Sequence, residues 1–265
     1  MQADTIERSL KEGNLASALA AVQAAVRAEP ARISHRILLF QIYSLLGQWE
    51  KAATQLATLA ELDKETLAMV QTYRAALQCE ALRQEVFAGT RLPLLLGDPV
   101  EWVALLIQAV RLDAEGHHAE AAGLRGQAFE AAPQSAGDVD GQAFAWLADA
   151  DMRLGPVLEA ILDGKYYWIP FERLSRIEID PPEDLRDLVW LPATLTFANG
   201  GENVALLPAR YPGSERAEDD ALKLARRTEW REITPDTFIG LGQRMWTTDA
   251  ADYPLLDVRR VTLGS

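Results

Sequence analysis

A glycine recurs in fixed company. Gly13 is followed by Ala18, Ala25 and Pro30 at offsets of 5, 12 and 17, and Gly116 by Ala121, Ala128 and Pro133 at the same offsets. A further copy, Gly47, lies 34 residues after the first, with Ala52 at offset 5 and Tyr43 four residues before it. This spacing confines the region to helical hairpins of tetratricopeptide type. Glycine supplies the positive φ that ends one helix, small residues let the next helix approach closely, and proline closes the unit. The middle of the region departs from the pattern. Leu59 and Lys64 stand where an alanine and a proline are expected, and the step from Gly47 to Gly116 is 69 residues, about two periods. Residues 66–88 read instead as one long helix, with Leu67, Val70, Tyr73, Leu77 and Ala81 at helical spacing. A loop with Gly89, Pro93, Gly97 and Pro99 follows, then a helix from Val100 to Ala114.

The pattern changes at Pro133-Gln134-Ser135-Ala136-Gly137-Asp138, a cluster of turn formers. The expected domains are therefore 1–135, tetratricopeptide-like and helical, and 140–265, α+β with a mostly antiparallel sheet. Short β-type runs occupy Phe144–Ala148, Tyr166–Ile169, Arg176–Ile179, Val189–Leu191, Thr194–Phe197, Val204–Leu207, Arg244–Thr247 and Leu255–Thr262. Asn199-Gly200 predicts a tight hairpin between two of them, because both residues tolerate positive φ. Helices are expected at Pro156–Leu162 and at Glu215–Arg227, the latter acidic at its start and basic at its end.

Charge narrows the partners. The net charge is −13, which disfavours nucleic acid phosphates and anionic membrane surfaces. The apolar fraction of 49% supplies a real core, yet no apolar run approaches the length that crosses a bilayer. Met1-Gln2-Ala3-Asp4 lacks the basic and apolar regions of a secretory signal, so a cytoplasmic protein is expected.

Catalytic chemistry finds thin support. Phe144–Asp149 followed by Ala150-Asp151 presents Asp-x-Asp after an apolar run, which resembles the first motif of the haloacid-dehalogenase-like phosphotransferases; that resemblance would make Asp149 a nucleophile and Asp151 a general acid. Met152 and Arg153 replace the expected small residue, and no parallel βαβ series follows. Asp149 and Asp151 are better read as partners of nearby arginines or as a cap for the helix entered at Pro156. His35, His117 and His118 share no ligand spacing with a carboxylate or sulfur, so no metal is expected. Cys79 has no adjacent cation to activate it. No phosphate-cradling glycine motif occurs, and no cofactor is expected. What remains is a density of tryptophan, tyrosine and arginine in the second half, residue types enriched at binding hot spots and equally at home in a small core.

The order of these motifs resembles the ImpE/SciE family, also called TagJ, accessory proteins of bacterial type VI secretion. The matching residues are Trp146, Asp149–Arg153, Pro156, Glu159, Gly164–Pro170, Leu185–Trp190, Pro208–Ser214, Thr228–Trp230, Gly240–Arg244 and Asp257–Arg259. The resemblance implies a non-enzymatic adaptor that binds the small subunit of the contractile sheath and the AAA+ ATPase that recycles it. A tetratricopeptide chaperone for a secreted effector is the other non-enzymatic reading. Two partner sites are expected. In the repeat register Ile37, Gln41 and Ser44 line a concave groove suited to a partner helix, with Tyr43 turned toward the neighbouring helix. Alternatively Trp168, Arg186, Trp190 and Arg244 hold the partner through loops of the second domain.

Overall fold

The computed structural model describes residues 2–264. Helices come first: α1 (Gln2–Glu12), α2 (Leu15–Ala28), α3 (Ile33–Leu45), α4 (Trp49–Leu62), α5 (Leu67–Phe87), α6 (Glu101–Ala114) and α7 (His118–Ala131). The turns α1–α2, α3–α4 and α6–α7 are made by Gly13, Gly47 and Gly116 at φ of +76°, +64° and +85°. Ala18, Ala25, Ala52, Leu59, Ala121 and Ala128 are all buried, as close helix crossings require. Where Lys64 replaces proline the chain does not break. It runs through one 3-10 turn, Lys64–Thr66, straight into α5.

The chain switches from helix to sheet between Ala131 and Gly137, inside the turn-former cluster. Two short strands, β2 (Gly137–Val139) and β3 (Gln142–Phe144), precede β4 (Leu147–Asp149), and the loop before α6 contributes β1 (Leu94–Leu95). Then come β5 (Val157–Leu162), β6 (Lys165–Pro170), β7 (Leu174–Ile179), β8 (Trp190–Phe197) and β9 (Glu202–Pro208). The chain ends in β10 (Thr228–Thr234), β11 (Thr237–Gly242), β12 (Met245–Thr248), β13 (Asp252–Pro254) and β14 (Arg260–Leu263). The main sheet runs β1-β6-β5-β9-β8-β7-β14-β2-β3, antiparallel throughout except for β1 on β6. A three-stranded sheet, β13-β12-β4, and the hairpin β10-β11 complete it. Gly200, at φ +84°, turns the β8–β9 hairpin where Asn-Gly predicts it.

Strand alternation sorts two cores. Val157 and Ile161 of β5, Tyr166 and Trp168 of β6, and Trp190 of β8 face the helices, where Trp190 stacks against Trp49 and Tyr73. Leu158, Ala160 and Leu162, then Ile169, Leu191 and Leu195, fill the opposite core with Trp246. The helices and one face of the sheet thus share a single core.

Several expectations are corrected. Pro156–Leu162 is not a helix. All six residues of β5 are buried, so the strand shows none of the apolar–polar alternation that betrays a half-exposed one. Glu215–Arg227 forms only a 3-10 turn, Ser214–Arg216, and one helical turn, α8 (Asp220–Lys223), and Ala225 at φ +52° ends it. Val189–Leu191 and Thr194–Phe197 merge into β8, and the hairpin β10–β11 has no counterpart among the expected strands.

The segment 210–226 straps across the open ends of the helical hairpins. Arg210 donates to the carbonyls of Leu45 at 2.9 Å and Ser44 at 3.4 Å, closing the C-terminus of α3. Arg226 donates to Leu10 and Lys11 at the end of α1, at 2.6 and 3.1 Å. Asp220 accepts from the Leu15 N–H at the start of α2, at 2.8 Å. Cations sit at helix C-termini and an anion at an N-terminus, as the orphan backbone groups and the helix dipole demand.

Candidate functional site

Glu80 and Arg83 lie on the apolar stripe of α5, in register with Val70, Tyr73, Leu77 and Val86, and all six are buried. Two charges on such a stripe need partners, and the sheet provides them. Glu159, in the middle of β5 and 0% exposed, accepts from Arg83 Nε at 2.7 Å and Nη2 at 3.1 Å. It also accepts from Arg244 and from the Tyr166 hydroxyl. Arg244 reaches Asp149 with its other arm at 2.7 Å and donates to the Pro208 carbonyl at 2.9 Å. Glu80 accepts from the Trp190 indole at 3.1 Å, and the Trp168 indole donates to Tyr166 at 2.7 Å. Arg83 donates in addition to the carbonyl of Arg210 at 2.8 Å. Asp151 holds Arg153 at 2.9 and 2.5 Å and accepts from the Gly240 N–H at 3.0 Å. Four carboxylates, Glu80, Asp149, Asp151 and Glu159, and three guanidiniums, Arg83, Arg153 and Arg244, interleave between the helices and the sheet.

The electrostatics follow the partner count. Burial works against the Glu159 charge, but Arg83 and Arg244 overcome it and hold the carboxyl at about 2. Asp149 goes the other way. Burial pushes it up to about 7, because Arg244 is shared with Glu159 and the Asp151 carboxylate stands close by. Burial also raises Glu80 and lowers Arg210 to about 10. Asp149 and Asp151 are thus both engaged by arginine, and the sheet around them lacks the parallel βαβ series of a phosphohydrolase. Neither caps a helix at Pro156, since a strand begins there. Among the described residues no three His, Cys, Asp or Glu side chains are placed to hold a metal ion. Cys79 donates to the Gly164 carbonyl, and burial pushes its thiol up to about 12.

Most of the expected partner-binding residues turn inward. Gln41 and Ser44 are buried, and α3 is enclosed on every side from Leu39 to Leu45. The 3-10 turn Leu185–Leu188 packs on this helix, so the chain fills its own groove. Ile37 is half-buried and packs on the shared core. Tyr43 does turn inward, where its hydroxyl accepts from Gln23 of α2 at 3.1 Å. Trp168, Trp190 and Arg244 are fully buried, and of the three Trp168 alone borders a cleft between α5 and α6. Arg186 keeps a partly exposed side chain, lying over Tyr73 at 5.0 Å and paired with Asp184 at 2.5 Å. The residue types that mark binding hot spots here brace the junction between helices and sheet.

Open apolar clefts remain among the described residues, and two of them flank the helical half. One, about 400 Å³, lies between α5, α6 and the loop that joins them. Val86, Leu95, Val100, Ala104 and Ile107 line it, Trp168 contributes to its wall, and the neighbouring Leu92 is 71% exposed. The second, about 390 Å³, lies between the end of α7 and β4, with Phe129, Trp146 and Met152 on its walls. Both went unrecognised in the sequence, although the apolar run Leu92-Pro93-Leu94-Leu95, of which Leu92 and Leu94 are exposed, was a signal for the first.

Known proteins share this architecture and sequence. The profile of the ImpE protein family matches residues 141–262. The type VI secretion system accessory component TagJ of Pseudomonas aeruginosa is 52% identical over 255 residues, covering 96% of this chain and 89% of that protein. The crystal structure of a protein from Vibrio parahaemolyticus superposes with a TM-score of 0.89 at 25% identity, covering 98% of this chain and 97% of that one. No helix among the described residues is long and apolar enough to cross a membrane.

Proposed function

Because this chain belongs to the ImpE family, we propose that it is a non-enzymatic accessory protein of a type VI secretion system. In this reading it binds the small subunit of the contractile sheath through a helix and links it to the AAA+ ATPase that recycles the sheath. The observation that carries it is the 52% identity to the TagJ accessory component, which extends over both the helical and the sheet regions. Its tetratricopeptide-like hairpins serve as a scaffold rather than as a groove, since the α3 face is filled from within. The partner helix is instead assigned to the cleft between α5 and α6. Its apolar walls suit Leu, Ile or Val anchors at i, i+3, i+4 and i+7. Arg91 and Arg111 on its rim are already paired with Glu85 and Glu115, which leaves little charge to steer by.

Titration of the purified sheath subunit tests this. Binding should persist at 0.5 M salt, because screening weakens exposed ion pairs and not apolar contacts. Leu92→Asp should weaken it at least tenfold, a loss of about 1.4 kcal/mol or more. Binding that vanishes with salt and responds to Arg186→Ala instead would move the site to the second half. Absence of any sheath or ATPase binding, with capture of a secreted effector, would favour the chaperone reading.

A further inference from the structure

The hairpin β10–β11 leaves one strand edge without a strand partner among the described residues, although α7 packs against β10. The outer edge of β11 is engaged: the Phe238 carbonyl accepts from Met152 N–H at 3.2 Å, the Gly240 N–H reaches Asp151, and the Gly242 carbonyl accepts from Tyr211 N–H at 3.0 Å. Main-chain groups alternate along a strand, so Ile239 and Leu241 are the residues that bond to β10, through Arg231 and Glu229 opposite them. Thr228, Trp230 and Glu232 therefore aim their N–H and C=O groups away from β11. Among the described residues nothing pairs with them. Glu229, Trp230, Arg231 and Glu232 are exposed in succession, and the three charges and the bulge after Glu232 are what guards the edge. Natural proteins usually protect such an edge, because it templates pairing with another strand.

The side chains specify which strand. A closed two-fold pair must be antiparallel, and the outward residues 228, 230 and 232 must face outward residues. A register centred on Glu229 opposes Glu229 to itself and Arg227 to Arg231. One centred on Arg231 opposes two arginines, and one centred on Glu232 opposes two glutamates. Centring on Trp230 opposes Glu229 to Arg231 twice, Thr228 to Glu232 twice, and Trp230 to its own copy. Registers centred on Thr228 or Ile233 also avoid like charges but pair at most three residues of β10. Of those that pair five or more, the Trp230 register alone is free of like-charge pairs, and it covers an indole that is 43% exposed beside Tyr211. We propose that the protein forms a two-fold dimer by antiparallel pairing of β10 with β10 of a second copy, in register about Trp230. This surface is separate from the α5–α6 cleft and does not depend on the proposed partner.

Sedimentation velocity of the full chain from 1 to 200 µM tests the idea with charge reversals. The wild type should dimerise within that range. Arg231→Glu leaves two glutamates opposed, and Glu229→Arg leaves two arginines opposed. Each should raise the dissociation constant at least tenfold, with an unchanged far-UV spectrum as the check on folding. In a mixture of the two variants, one chain carries glutamate at both positions and the other carries arginine at both. Every facing pair is then of opposite charge, so a heterodimer should return to within a few-fold of the wild-type constant. A wild type that stays monomeric at 200 µM, variants that dimerise as well as the wild type, or a mixture that fails to recover would each overturn the proposal.

Discussion

Replacing Glu159 by Gln removes one charge and almost no volume, and it strikes where helices and sheet meet. Glu159 is fully buried and receives Arg83, Arg244 and Tyr166 at once. Two routes give the cost. Removing one partner of a buried ion pair typically destabilises by about 3–5 kcal/mol, because a charge is left uncompensated. Independently, the carboxyl falls from its ordinary 4.5 to about 2 on folding. At about 1.4 kcal/mol per unit this is roughly 3 kcal/mol of stability at neutral pH. The sign is that of a depressed acid. The contribution is complete above pH 4.5 and is lost as pH falls toward 2. Urea unfolding followed by far-UV dichroism and by tryptophan fluorescence gives the measurement. At pH 7, Glu159→Gln should lose about 3–5 kcal/mol, and by linkage the gap should shrink by roughly 2 kcal/mol at pH 3. The control is Glu178→Gln on β7. Glu178 pairs with Arg260 at 3.1 Å in solvent, so this change should cost less than about 1 kcal/mol. A Glu159→Gln loss below about 1 kcal/mol at pH 7, or a gap that does not shrink in acid, would refute the reasoning.

Other substitutions probe the same interior. Asp149 rises from 3.8 to about 7 on folding, so the native state holds an extra proton between those values and stability should fall as pH rises through that window. Asp149→Asn should flatten the fall, which amounts to at most roughly 4 kcal/mol, in thermal melts from pH 4 to 8. Arg210→Met leaves the buried carbonyls of Leu45 and Ser44 without their donor and should cost about 2–4 kcal/mol by denaturant titration. Gly47→Ala meets both a positive φ and the Glu215 side chain, while Gly116→Ala meets only the φ. The second should cost about 1 kcal/mol and the first clearly more, as read from paired melting temperatures.

The hairpins were legible because their determinants are local. A glycine, an alanine five residues on and another seven beyond that lie within one helical pair, and Gly13, Gly47 and Gly116 all turn as their spacing predicts. β5 was not legible, because burial on both faces erases alternation and Val-Leu-Glu-Ala-Ile-Leu suits a helix equally well. The inward placement of three expected partner-binding residues was not legible for a related reason. Trp168, Trp190 and Arg244 have the composition of a binding surface, and composition does not say which side of a sheet faces water. Glu80 and Arg83 did carry a signal, as two charges on the stripe of Val70, Tyr73 and Leu77, but their partners, Trp190 for Glu80 and Glu159 for Arg83, lie 110 and 76 residues away and left no local trace.

The caps delivered by segment 210–226 have a consequence for synthesis. The Leu15 N–H is satisfied by a carboxylate 205 residues downstream, and the end of α1 by an arginine 216 residues from Leu10. At ordinary translation speeds the first hairpin leaves the ribosome roughly 10–40 s before those residues exist. During that interval the helix ends have only water, and α3 shows the emerging chain an apolar face that Leu185–Leu188 will later occupy. Contacts of such sequence separation form late and slow the completion of folding. The nascent helical half is thus the stage at which this protein most needs a chaperone.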